Sequence, residues 1–286
     1  MTKSHIDQQI AEKMPQMSKS HVKIAQYILQ NPYSVPFFTV GKLAHKAGVS
    51  EATVVRFATF LGFSGYPELQ QQLVESLERQ LTTVERLEMS VDVYSEEEKV
   101  IYEVLQDDLA NLRTTMEQLD VQSFRRAAEA LLNAKKVYIV ASRSAVSLAV
   151  FLQYYLDIIL GNTKHVQSVH STYEQLYALD ETDVVVGISF SRYVQSTVDI
   201  VSYAKGKGAT VLVITDHVLS PLVPYADVAF YAQSSMPTFI DSFAAPLSLI
   251  NALIAYVGKQ KIDDFHGRLR ELEDIWDHFH VFYKKN

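Results

Sequence analysis

No cysteine occurs anywhere in the chain. That excludes disulfide staples, thiol nucleophiles and cysteine-based zinc sites, and it is compatible with a reducing compartment. Long apolar runs are missing too. PLSLINALIAYV, near residue 250, is among the longest, and it falls short of the roughly 20 residues that cross a bilayer as a helix. The opening MTKSHIDQQIAEKM has no apolar centre of the length a secretion signal needs. There is no internal repeat and no low-complexity tract. No motif asks for a metal or a cofactor. The expectation is a cytoplasmic globular protein with no membrane partner. Positive charge is also scarce in total: 26 Lys and Arg stand against 33 Asp and Glu, a net −7.

The 286 residues are enough for two domains of ordinary size, and 48% hydrophobic with 21% charged residues is a normal globular balance. The pattern predicts an all-α domain over 1–80, a helical linker over 81–119, and an α/β domain with a parallel sheet over 120–286. In the first part, Ile6, Ile10 and Met14 make a short amphipathic helix. Ser18 caps a second helix whose buried face is Val22, Ala25, Ile28 and Leu29, and Asn31-Pro32 stops it.

The stretch 39–66, TVGKLAHKAGVSEATVVRFATFLGFSGY, reads as two short helices around a tight turn. Leu43, Ala44 and Ala47 form the apolar stripe of the first. Gly48 stands where the chain reverses, a position that favours positive φ. Ser50 is an N-cap candidate whose hydroxyl can take a free N–H of the next turn. Val54, Phe57, Ala58 and Leu61 bury one face of the second helix. Glu51, Ala52, Thr53 and Arg56 are left outside. This is helix-turn-helix spacing, in which the start of the second helix enters the major groove of DNA. A structural hairpin in a core has the same spacing. The local charge favours DNA: Lys42, Lys46 and Arg56 face only Glu51, while the acidic excess lies further on, around 94–99 and 271–277. Pro67 fits the first turn of a further helix through Leu69, Leu73, Val74 and Leu77.

VSEATVVRF followed by LGFSGYPEL, with KIAQYILQNPYSVPFFTVGKLA before it, resembles the N-terminal domain of the RpiR family of bacterial transcriptional regulators. The resemblance implies double-stranded operator DNA as a partner. Lys42 and Lys46 are then candidates for backbone phosphates, Thr53 and Arg56 for base or phosphate contacts, and Ser50, Glu51 and Ala52 for the groove edge.

From Glu78 to Leu119 the pattern is helical and more charged. Leu81, Val84 and Leu87 recur every three residues, and a second run carries Val100, Val104, Leu105, Leu109, Leu112 and Met116. A solvated spacer and a dimerisation helix fit this equally. Beyond Val121 the rhythm changes to alternating helices and strands. Strands are predicted at 137–140, 165–168, 183–189, 210–215 and 228–232. Helices are predicted at 123–132, 145–160, 172–179, 194–205, 221–225, 242–259 and 266–283. Strands apolar on both faces mean a parallel sheet covered by helices, with ligands beyond the C-terminal strand ends.

Two of those strand ends carry clustered hydroxyls and an arginine: Ser142, Arg143 and Ser144 after the first strand, and Ser189, Ser191 and Arg192 after the third. Each precedes a helix, whose free N–H groups favour an anion. Serine adds donors, and arginine adds a fork that matches phosphate. These residues equally serve as helix caps and solvated charges. The layout from Val121 to Val257 is similar to a sugar isomerase (SIS) domain, with ISxS after DVVVG and then GATVLVITD and SPLVPYADV. The resemblance implies a phosphosugar or related anion as effector and a homodimer or higher homo-oligomer. Its first loop usually reads G-x-G-x-S, which here is Ala141-Ser142-Arg143-Ser144-Ala145. Its second usually reads S-x-S-G-x-T, where Ser189 and Ser191 remain and Arg192 and Val194 stand for the glycine and threonine. Either the arginines replace lost anion donors, or they fill the pocket, with Asp216, Asp241 or Glu174 as ion-pair partners. A sugar-phosphate isomerase would need a base, for which His165, His170, Glu174 and Asp241 are candidates. The attached DNA-binding pattern argues for a sensor and against an enzyme.

Overall fold

The computed structural model describes residues 5–78, 82–94, 99–166 and 172–283. The chain divides into two units. The first takes Met1–Asp107 together with Ser235–Asp241, and the second takes Asp108–Ser234 and Ser242–Asn286.

The first unit is helical: α1 (His5–Lys13), α2 (Lys19–Gln30), α3 (Val40–Ala47), α4 (Glu51–Leu61), α5 (Tyr66–Glu78) and α6 (Thr83–Val93). Its core gathers Ile10, Ile24, Ile28, Leu43, Phe57, Leu61 and Leu69, with Met89 and Val93 of α6 closing it. Ser18 caps α2 as expected, accepting the His21 N–H. Ile24, not Val22, shares the buried face with Ala25 and Ile28. Leu81 and His170 lie outside the described residues. Val84 and Leu87 of α6 are exposed. Its opposite side carries Arg86, which is only 8% exposed. The guanidinium donates to the Thr238 carbonyl at 2.8 Å, to Asp241 Oδ1 at 2.8 Å and to the Ile240 carbonyl at 2.6 Å. Segment 235–241 is thereby tied to α6 by a charged residue with its donors matched in three directions.

A long helix, α7 (Val100–Glu117), runs across the division between the units. The second unit then alternates: α8 (Val121–Asn133), β1 (Val137–Ala141), α9 (Val146–Leu160), β2 (Thr163–His165), α10 (Thr172–Gln175), β3 (Val184–Ile188), α11 (Gln195–Gly206), β4 (Thr210–Thr215), β5 (Val228–Tyr231), α12 (Ala244–Gln260) and α13 (Ile262–His278). The five strands are parallel in the order β2-β1-β3-β4-β5. One face packs on α8, α9 and α12 through Leu131, Leu152, Leu156 and Ile250. The other packs on α11 through Ile200, Val201 and Ala204. β1 and β3 are buried along their whole length, which is why they read as unbroken apolar runs.

Several expectations differ in detail, among them the helices expected at 172–179 and 266–283, which run over Thr172–Gln175 and Ile262–His278. β2 ends at His165 instead of starting there. The helix near 221–225 is a single 3-10 turn, Val223–Tyr225. Among the described residues one helix, Arg143–Leu160, is long and apolar enough to cross a membrane by length and composition. Its Leu148, Ala149, Leu152, Leu156 and Ile159 lie in the core on the sheet.

β3 approaches α11 closely at Gly187. A Cβ there would stand 2.5 Å from Val201 Cγ2 and 3.3 Å from Leu222 Cδ2. Gly187→Ala should therefore overpack this layer and cost about 1–3 kcal/mol. A loss of that size in the unfolding free energy from denaturant titration checks it, and an unchanged midpoint refutes it.

Candidate functional sites

The helix-turn-helix is built by α3 and α4. Thr39 opens α3 by accepting the Lys42 N–H at 3.1 Å. Gly48 closes it in the left-handed region, φ 64°, and the Val49 N–H reaches back to the Ala44 carbonyl at 3.0 Å. Ser50 starts α4 with its backbone, but its hydroxyl does not cap the helix. The Thr53 N–H already bonds the Ser50 carbonyl at 2.9 Å. The Ser50 hydroxyl pairs instead with the Thr53 hydroxyl at 2.8 Å. Arg56 Nη2 donates to the same Thr53 oxygen at 3.3 Å. Ser50, Thr53 and Arg56 thus form a bonded row at three-residue steps along one side of α4, with Arg56 exposed at its end.

Of the other predicted DNA contacts, Lys46 and Ala52 are exposed. Glu51 is exposed and leans back over α3, its Oε1 2.8 Å from where a Cβ on Gly41 would be. Lys42 is engaged inside the unit: its ammonium donates to the Val93 carbonyl at 2.8 Å and lies 4.7 Å from the Phe38 ring centroid. Sequence reasoning missed Val55 and Thr59. Both are exposed on α4, and Val55 is an apolar side chain on a helix whose other exposed residues are small or polar. A valine there suits a thymine methyl. His21 packs on the Phe57 and Phe60 rings, at 5.6 and 5.3 Å between centroids. Burial, and then the Arg56 charge, hold its pKa below the usual imidazole value.

The second site lies at the sheet. β1 leads on to β2 on one side and pairs with β3 on the other, so the strand order reverses between β1 and β3. The crevice beyond such a reversal is where open α/β sheets bind ligands. Both predicted loops emerge there, since Ala141 and Ile188, the last residues of β1 and β3, are direct register partners. The Ser142 hydroxyl crosses to the first turn of α11, 3.0 Å from Thr197 Oγ1 and 3.4 Å from Ser196 Oγ. Ser196 and Thr197 were missed from sequence. Their signal was a pair of hydroxyl residues in the first turn after the second loop. Ser144 is exposed, and its carbonyl accepts the Ser147 hydroxyl. Ser189 is buried, its N–H on the Ile214 carbonyl.

Asp216, buried at the end of β4, shapes the second loop. It accepts the Ser191 N–H at 2.9 Å, the Tyr193 hydroxyl at 2.7 Å and the Thr215 hydroxyl at 3.2 Å. Asp241 belongs to Arg86. Neither helix that follows a loop has a side-chain cap: Ala145 before α9 and Val194 before α11 offer no acceptor. The Val146 N–H that opens α9 turns back onto the Arg143 carbonyl of the preceding 3-10 turn, and the Thr197 N–H of α11 bonds the Val194 carbonyl at 3.0 Å. His165 ends β2 opposite Ile139, and burial lowers its pKa.

The arginines have an unusual backbone. Arg143 has φ 56° and Arg192 φ 63°, and His280 is the one other non-glycine residue with positive φ among those described. An L-residue in this region is strained by about 1–2 kcal/mol. Both arginines stand where the SIS pattern has glycine, as Ala141 does earlier in the first loop. The loops keep the glycine conformation while carrying exposed guanidinium groups. Strain of this kind gathers at functional sites.

Residues 4–80 match the helix-turn-helix domain of the rpiR family, and residues 130–256 match the SIS domain. An HTH-type transcriptional regulator of Caldanaerobacter subterraneus subsp. tengcongensis is 30% identical over 272 residues, 93% of this chain and 95% of that one. HexR of Pseudomonas aeruginosa, also an HTH-type transcriptional regulator, is 26% identical over 276 residues, covering 93% and 94%. The sugar isomerase domain of an RpiR transcription factor from Sphaerobacter thermophilus matches with a TM-score of 0.59 at 26% identity, over 62% of this chain and 99% of that one. NanR of Vibrio vulnificus, solved in complex with ManNAc-6P, shares the fold with a TM-score of 0.59 at 19% identity, over 98% and 100%. Relatives along nearly the whole chain are regulators and not enzymes, and the chain belongs to the RpiR family of helix-turn-helix transcriptional regulators, with a C-terminal SIS domain.

Proposed function

We propose that this regulator senses a phosphorylated sugar or related anion in its SIS domain and changes its grip on operator DNA in response. The observation that carries the reading is the pair of arginines in left-handed backbone at the ends of adjacent strands. A guanidinium kept in a strained loop needs a reason, and two at one strand reversal point to a shared anion. The hydroxyls of Ser142, Ser144, Ser191 and Ser196 supply further donors. The ligand solved with NanR is of this class, while the ligand class proposed here is argued from the loops themselves.

On DNA, Thr53, Arg56 and Val55 would read base edges, Ser50 and Ala52 would line the groove edge, and Lys46 would hold a phosphate. Lys42, engaged with Val93, braces the unit. The protein would work in the cytoplasm as a homodimer, presenting two heads to a near-palindromic operator. Ligand shifts the balance between two arrangements only as far as its affinities for them differ.

The deciding experiment is a thermal-shift panel on the full chain, comparing sugar phosphates and sugar acids with their unphosphorylated forms. A ligand at a hundred times its Kd adds about 2.7 kcal/mol of apparent stability. A shift for one phosphosugar, absent for its dephosphorylated form, supports the reading. No shift across a broad panel overturns it. For the DNA half, Arg56→Ala should weaken operator binding by about 1–3 kcal/mol, read by fluorescence anisotropy at fixed salt. Unchanged affinity removes Arg56 from the interface.

A further inference from the structure

Helix α7 is built inside out. The side that its own chain covers is polar. Asp107 accepts the Tyr94 hydroxyl, Asp108 accepts the Ser242 hydroxyl, and the Thr115 oxygen accepts the Gln233 N–H. Asn111 is buried on the same side. The side left in solvent is large and apolar: Tyr102 is 73% exposed, Leu105 54%, Leu109 55% and Met116 71%, with Leu112 half-buried among them. A helix on a globular body normally turns its apolar stripe inward. Here the order is reversed, so the stripe awaits a partner.

The spacing of the stripe says what kind. From Tyr102 the steps to Leu105, Leu109, Leu112 and Met116 alternate between three and four residues. That is a seven-residue repeat, the period at which a helix meets another helix with the same repeat. Charge then selects the orientation. With Tyr102, Leu109 and Met116 at a and Leu105 and Leu112 at d, Asp108 takes a g position and Arg113 the following e. In a parallel pair, g of one helix faces the next e of the other. Asp108 then meets the partner's Arg113, and two-fold symmetry makes that contact twice.

We propose that α7 pairs with α7 of a second copy as a short, parallel, in-register coiled coil. This deepens the dimer reading above and rests on it. Two heptads make a short seam, so the pairing works together with other contacts between the copies. It brings the amino-terminal ends of both α7 helices together, which a two-headed reader of one operator requires.

The lack of cysteine makes the test clean. Tyr102→Cys, Met116→Cys and, as a control at an outward b position, Glu117→Cys are introduced singly into the full chain and oxidised with diamide at micromolar concentration. These are exposed positions, so the fold should be kept, which circular dichroism of each variant checks. The expected result is a disulfide-linked dimer for each of the two stripe variants and little for Glu117→Cys. Leu109→Glu should raise the dimer dissociation constant at least tenfold in sedimentation. A wild-type dimer whose stripe variants cross-link no better than Glu117→Cys refutes the seam and leaves the dimer reading standing. A wild-type monomer at tens of micromolar refutes both. Cross-linking found only in a mixture of the Tyr102→Cys and Met116→Cys proteins means antiparallel helices and overturns the arrangement.

Discussion

Replacing Arg143 and Arg192 together with glycine is expected to yield a protein that melts higher and no longer answers its effector. The two effects have separate causes. Both residues sit at positive φ, where a non-glycine residue is strained by about 1–2 kcal/mol. Glycine removes the strain but loses about 0.5–1 kcal/mol through the greater freedom of its unfolded chain. The net gain is roughly 1 kcal/mol for the pair, or about 2–4 °C in Tm for a unit of this size. If the arginines hold the anion as proposed, the same change also removes two charge-assisted donors, each worth about 2 kcal/mol. Affinity for the phosphosugar found in the thermal-shift panel should then fall by about a thousandfold. Calorimetry reads the ligand and thermal unfolding reads the backbone. Affinity kept within threefold would show that the arginines do not hold the anion. A lower Tm would show that these loops need arginine for their own packing.

Asp216→Ala tests the support of the second loop. Its carboxylate takes three donors, from Ser191, Tyr193 and Thr215, while only 7% exposed. Removing it orphans those donors at a cost of about 3 kcal/mol, seen as a large drop in Tm. The effector response is more telling, because its sign separates two roles. A carboxylate that acts through its charge opposes an anion nearby, and its loss would tighten binding. A carboxylate that holds the loop in shape must weaken binding when lost, and this is the expected result. Asp216→Asn, which keeps the volume and one acceptor, should fall between the wild type and Asp216→Ala. Tighter phosphosugar binding by either variant would overturn the positioning role.

Much of the architecture was legible because it rests on local signals. β3 reads as a strand because it is an unbroken apolar run, and a strand buried on both faces must be one. Gly48 marks the end of α3 because that end needs a left-handed residue. β2 is expected two residues too late at its start because an edge strand carrying Lys164 has no such run. The Ser50 hydroxyl was assigned to a backbone N–H that the Ser50 carbonyl had already taken. Lys42 looked like a DNA contact because its partner, the Val93 carbonyl, lies 51 residues away. Ser196 and Thr197 were missed because only the register of β1 against β3 brings Ser142 to them. The sequence named both arginines, but that they occupy glycine's backbone region is a property of the folded loops alone.

The attachment of segment 235–241 to Arg86 bears on how such a regulator can be taken apart. A fragment ending at Asp107 keeps every reading helix, yet it loses the Thr238 and Ile240 carbonyls and the Asp241 carboxylate together. The reading head is closed by a piece of chain that is synthesised long after it. A graft of this head onto another sensor, made by a single cut and a single join, leaves behind a guanidinium with nothing to hold. A transferable head needs two joins, or a substitute for Arg86.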